Sequence, residues 1–173
     1  FAGFSPEVKA TIYNLDYWNS DAWDPLSYGK DYDFARPFFE QFRELLYTVP
    51  WPAKSVQRMI ASDYCDQASG FKNSYLCFRG DGVENSAYLV MSSFAKDTFD
   101  GYENRSDELC YENVMVDDCF RVFFSVDCES CTDVWFSRDL AGCNNCFGCV
   151  GLRNKSYHIF NKPYSKEEYE KEL

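Results

Sequence analysis

The chain has 173 residues, 46% of them hydrophobic and 19% aromatic, which excludes general disorder and suffices for one domain or a domain with an appendage. Net charge is −11 and unevenly set: residues 1–60 carry 6 basic and 8 acidic side chains, residues 97–139 carry 3 basic and 12 acidic ones. This acidic middle argues against a nucleic-acid partner held through phosphate contacts, and no run approaches the ~20 apolar residues of a membrane span.

The first 60 residues read as an extended segment followed by a helix at about 33–47. Pro37 falls in its first turn, Phe34, Phe38, Phe42 and Leu45 form one stripe, and Pro50 and Pro52 end it. This helix is expected to pack as a cap on the first turns of the C-terminal repeat. The opening residues do not form a basic-then-apolar leader, and the start at Phe1 instead of Met reads as a processed or partial piece.

From about residue 61 a repeat takes over. Large apolar residues fall at Tyr75, Tyr88, Phe99, Tyr111, Phe123, Trp135, Phe147 and Ile159, at intervals of 13, 11 and then 12 throughout, a 12-residue period with one compensated slip. Inside each turn a second pattern steps by three: Val116, Cys119, Val122, Ser125, then Cys128, Cys131, Val134, Ser137, then Leu140, Cys143, Cys146, Cys149. A helix would place apolar residues at i, i+3, i+4, i+7, and a long strand would alternate at two. Four small inward residues per turn describe a thin coil. The fold class expected is therefore mainly β: a narrow β-solenoid over 61–162, with an N-terminal helical cap. A short C-terminal helical cap over 163–173 completes the chain: Pro163 ends the last strand, and the capping box Ser165-Lys-Glu-Glu168 opens the helix. Gly80-Asp81-Gly82, beside the slip, reads as a turn.

The 12-residue turn with an inward residue every third position resembles the small β-helices of insect antifreeze proteins, in architecture only. Their flat threonine array has no counterpart, because the matching face holds Phe99, Tyr111, Phe123, Trp135 and Phe147. Trp18-Asn-Ser-Asp21-Ala-Trp23-Asp24-Pro25, the Asp31–Phe42 segment and Gly151–Lys162 resemble an uncharacterised Cys-rich repeat family of candidate-phylum bacteria. That family places a zinc-ribbon-like segment before the repeat. Its Cys-x2-Cys before the tryptophans is absent here, where Asn14 and Tyr17 stand, so the resemblance implies a fold and no N-terminal zinc.

The nine cysteines read three ways, one of them as disulfides across a turn, such as Cys143 with Cys149, although the odd count leaves one thiol over. Cys128, Cys131, Cys143 and Cys146 have a C-x2-C-x11-C-x2-C spacing close to a zinc ribbon, and would be the ligands of a metal-binding module. Yet Cys119, Cys131 and Cys143 are one turn apart, and x2 is the inward step of the coil, so core packing accounts for the same spacing. Unpaired thiols in this number lean to a cytoplasmic setting.

Candidate chemistry is otherwise sparse. His158 falls on an inward phase. Asp127 and Asp139 share one phase and Asp97 and Asp133 another, an arrangement open to carbohydrate chemistry or Ca²⁺, or to turn duty, as are Asp117 and Asp118. No phosphate-cradling loop or nucleophile elbow occurs, and no cofactor is implied. The candidate binding residues are the aromatic row Phe99, Tyr111, Phe123, Trp135 and Phe147, which marks a protein partner or self-association if exposed. The expectation is a non-enzymatic interaction or scaffold module presenting an aromatic ladder and an acidic face. A carbohydrate-active β-helix or a metal-binding module is the alternative.

Overall fold

The computed structural model describes residues 2–173, and the chain divides into two units between Ser55 and Val56.

The first unit is built on aromatic contacts. Ile12–Tyr13 pairs in parallel with Trp51–Pro52. Asn14 caps the one-turn helix α1 (Leu15–Trp18) by accepting from the Tyr17 backbone N–H at 2.8 Å. Tyr17 packs edge-on to Tyr13 at 4.7 Å, and Trp18 lies 4.5 Å from Trp23, whose indole N–H donates to the Trp18 carbonyl. Asp24 caps the 3₁₀ turn Pro25–Tyr28. The Tyr13 hydroxyl sits 3.4 Å from that of Tyr28 and is pushed up to about 12 by this hydrogen bond and then by burial.

Helix α2 spans Phe38–Thr48, a shorter element than the expected 33–47. Proline disfavours helical backbone in the residue before it, so Arg36 cannot extend the helix backwards and Pro37 becomes the N-cap. The preceding loop is tied down by Gln41, which accepts from the Asp33 N–H at 2.9 Å and donates to the Asp33 carbonyl.

The second unit is the β-solenoid, with about nine turns of 12 residues. One column of parallel pairs, Ile60, Lys72, Glu84, Lys96, Glu108, Phe120, Thr132, Asn144 and Ser156, traverses it. At ~4.8 Å per turn this column is about 38 Å long.

What bends the chain so tightly is a left-handed residue at every third position. From Arg58 to Phe160, each third residue has φ between +44° and +70°, and only Gly70, Gly82, Gly142, Gly148 and Gly151 among them are glycine. β-Branched side chains are the least compatible with positive φ. Accordingly, no Val, Ile or Thr occurs at this phase, although the other two phases hold many, and residues 58–160 contain no proline.

The next residue after each left-handed one points inward. Cys65, Cys77, Val83, Leu89, Val116, Val122, Cys131, Val134 and Cys146 are all within 1% of full burial. Inside so narrow a tube, several inward backbone N–H groups are accepted by a side chain 12 residues earlier. Ser74 N–H donates to Ser62 Oγ (3.0 Å), Thr98 to Ser86, Ser125 to Asn113 Oδ1, Ser137 to Ser125 and Cys149 to Ser137. Buried backbone donors must find partners, and a small polar side chain on the axis supplies them.

The axis holds two apolar stretches. One runs from Cys65 to Ala95 and the other from Cys110 to Cys149. Between them lies a polar layer of Asn104, Asp107 and Asn113, each 1% exposed.

At the C-terminal end, Phe160 and Asn161 both take positive φ, closing a two-residue hairpin in which Lys162–Pro163 pairs antiparallel with His158–Ile159. Pro163, expected only to end the last strand, thus covers its edge. Helix α3 (Lys166–Glu172) starts with the capping box expected: Ser165 Oγ accepts from Glu168 N–H, and Glu168 accepts from Ser165 N–H. Tyr169 is buried edge-on to Tyr157 at 5.7 Å.

Candidate functional site

With four inward residues per turn, the coil presents four outer walls, each two residues wide. Their compositions differ. The wall of Lys72, Glu84, Lys96 and Glu108 alternates in charge, with Lys72–Glu84 at 3.7 Å and Lys96–Glu108 at 3.2 Å. Arg121 pairs with Asp133 at 2.8 Å on the same wall. The next wall is aromatic.

Register places Phe99, Tyr111, Phe123, Trp135 and Phe147 in one column, each opposite the next. The slip inferred at Tyr88 does not exist. Tyr75 pairs with Ala87 and Ala87 with Phe99, so every interval is 12. Tyr88 is the left-handed residue beside Ala87 and belongs to a second column, unseen in the sequence: Tyr64, Leu76, Tyr88, Asp100, Glu112, Phe124, Phe136, Gly148 and Phe160. The adjacent pairs Phe123–Phe124 and Trp135–Phe136 were its signal. Gly80–Asp81–Gly82 is likewise regular coil, Gly80 facing inward opposite Ala68 and Asp81 opposite Ser69.

The two columns interlock. Phe123 stacks on Trp135 at 4.3 Å, Phe124 on Phe136 at 4.9 Å with planes 3° apart, and Tyr111 meets Phe124 edge-on at 5.4 Å. At Gly148 the column has no side chain, and the Phe160 ring fills the space: a Cβ there would lie 2.8 Å from it. Elsewhere the rings meet edge to face, as Tyr75 does Tyr88 and Phe147 does Phe160. Even so, Tyr75, Tyr88, Phe136 and Phe160 remain 46%, 51%, 52% and 74% exposed. A third wall continues the apolar surface with Val90, Tyr102, Val114 and Val150.

Cys128, Cys131, Cys143 and Cys146 occupy three different inner walls of the tube, and among the described residues no three His, Cys, Asp or Glu side chains converge on a metal-sized site. The thiols serve as hydrogen-bonding links. Cys119, Cys131, Cys143 and Cys149 donate to the carbonyls two residues before them at 3.2–3.4 Å, and Cys149 accepts from Asn161 N–H. Burial pushes Cys110 and Cys146 up to about 12. Hydrogen bonding to Cys131, then burial, raises Cys119 and Cys128, and Cys131 itself is held low by Cys119 and then Cys128.

The stacked aspartates do not face one another across a groove. Asp127 pairs with Arg138 at 3.6 Å, Asp139 with Arg153 at 2.8 Å, Asp133 with Arg121, and Asp117 with Arg105. His158 is half-buried at its inward phase with Nδ1 2.8 Å from the Ser156 carbonyl.

No protein-family model and no curated protein matches the chain. Solved structures with some likeness include a hexapeptide transferase family protein from Anaplasma phagocytophilum, at 15% identity and TM-score 0.20 over 68% of this chain and 83% of that one. Another is the UDP-N-acetylglucosamine acyltransferase from Campylobacter jejuni, at 8% identity and TM-score 0.22 over 68% of this chain and 76% of that one.

Proposed function

We propose that the solenoid is a non-enzymatic protein-interaction or scaffold module that docks a partner on its aromatic wall. One observation carries this reading: two interlocked columns of rings stay substantially exposed along the coil. At ~38 Å by ~10 Å the wall is on the order of 400 Å², the size at which an apolar patch on a protein surface is commonly functional. The third wall extends it towards the ~800 Å² per partner of a standard interface.

The carbohydrate reading is less well supported, because the aspartates it would use, Asp127, Asp133 and Asp139, are each paired with an arginine. A photo-crosslinking residue at Phe136, compared with one at Asp118 on the opposite wall, tests the proposal in cells producing the full chain. A discrete protein adduct from position 136 alone is expected. Equal labelling from both positions, or none from 136, would count against docking on this wall.

A further inference from the structure

The aromatic wall carries charge of only one sign. Its two columns contain Asp63, Asp100 and Glu112, all exposed, and no Lys or Arg. The cations of the charged wall beside it, Lys72, Lys96 and Arg121, are engaged with Glu84, Glu108 and Asp133. Asp100 and Glu112 have no cationic partner among the described residues and are successive in the left-handed column, one ~4.8 Å rise apart. Rings bracket them: Tyr88 before, Phe124 after, and Phe99 and Tyr111 alongside. Glu112 also raises the neighbouring Tyr111 hydroxyl through a hydrogen bond. On the third wall the same level repeats the motif, Glu103 standing between Met91 and Met115 in one column.

Taking docking on the aromatic wall as given, we infer that its occupant is a basic, apolar protein segment. Its Lys or Arg side chains sit on Asp100 and Glu112, and its apolar residues lie along the rings to either side. Charge complementarity selects this occupant. A second copy of the chain would bring the same carboxylates face to face, and like charges opposed across an interface are costly. Nucleic acid is repelled by the same groups. Exposed carboxylates flanked by rings suit a guanidinium or ammonium group carried on a hydrocarbon stem, and the acidic charge also raises the encounter rate of a basic segment.

The test uses the full chain and a synthetic amphipathic peptide with a central Lys pair between apolar residues. Twins carrying Glu or norleucine in place of Lys serve as comparisons. Binding is read by calorimetry and by the change in tryptophan emission that is absent when Trp135 is replaced by Phe. The Lys peptide is expected to bind and the Glu twin not. The double variant D100N/E112Q should weaken it about three- to tenfold, as one or two exposed ion pairs allow, and flatten its salt dependence. Asn and Gln already occupy this left-handed phase at Asn73 and Gln67, so the coil tolerates both changes. The double variant F124S/F136S should abolish binding, and E129Q on the opposite wall should leave it unchanged. Loss with F124S/F136S but none with D100N/E112Q would overturn the basic-partner inference and leave the docking wall standing. Full binding by F124S/F136S would overturn the docking wall itself. Self-association lost in F124S/F136S would show the occupant to be a second copy, and would also overturn the inference.

Discussion

The backbone N–H of Cys119 donates to Oδ1 of Asp107, one turn earlier on the same inner wall, at 2.9 Å. Asp107 therefore does for Cys119 what serine or cysteine does elsewhere on the axis, but with a titratable group, 1% exposed, at the polar layer between two apolar stretches. Burial pushes its carboxyl up to about 7 against the smaller opposing effect of the Cys119 hydrogen bond; Asp117 and Asp118 raise it further.

Such a carboxyl makes the coil more stable in acid than at neutral pH. Unfolded, Asp107 titrates near ~4, so the fold favours the protonated form. Its contribution is present in full below about pH 4 and is lost as pH rises through about 7, by at most about 4 kcal/mol. Urea unfolding at pH 5 and pH 8 should show this decline, and Asp107→Asn should remove most of it, since the amide oxygen still accepts from Cys119 without titrating. An equal pH dependence in both proteins would assign it to other groups.

The cysteines should behave as buried linkers. With raised pKa values and no exposure, Cys119, Cys128 and Cys146 should react with a thiol reagent only after unfolding. Replacing Cys143 by Ser keeps a donor for the Ala141 and Leu152 carbonyls and should cost slightly less than Cys143→Ala, which leaves these carbonyls with their backbone donors alone. Thermal melts of the two variants decide the order; a more stable Ala variant would contradict it.

Two neighbouring rings should respond unequally to valine. Phe123 lies in a strand and Phe124 has φ +52°. Phe123→Val should fold with modest loss, while Phe124→Val should lose more, because a β-branched side chain tolerates positive φ less well than phenylalanine does. Equal losses in chemical denaturation would mean that the left-handed phase carries little strain.

Gly80 is required by close approach, not by its φ. A Cβ there would stand 1.7 Å from the Ser92 carbonyl oxygen of the next turn. Gly80→Ala should disrupt the turns around it, seen as lost circular dichroism or a melting temperature lowered by several degrees, whereas Gly151→Ala, with nothing within 4 Å, should show only the smaller cost of its φ of +70°.

Much of this architecture is legible in the sequence alone. The 12-residue turn can be read from Phe99 to Phe147, the inward step of three from Cys119 through Cys149, and the C-terminal helix from its Ser165–Glu168 box. These are periodic or local signals that side-chain chemistry records directly. The absence of Val, Ile, Thr and Pro from one phase also encodes the left-handed backbone, for steric reasons that composition alone expresses. Register is different. Tyr88 looks like a slipped rung because a ring is apolar wherever it sits, and only backbone pairing shows Ala87 in that place. For the same reason the cysteine spacing suggests a metal, until the tube spreads those thiols over three walls and bonds them to the backbone. Sequence determined the period and the small axis; tertiary structure decided which residues share a wall, because each wall is assembled from residues a full turn apart.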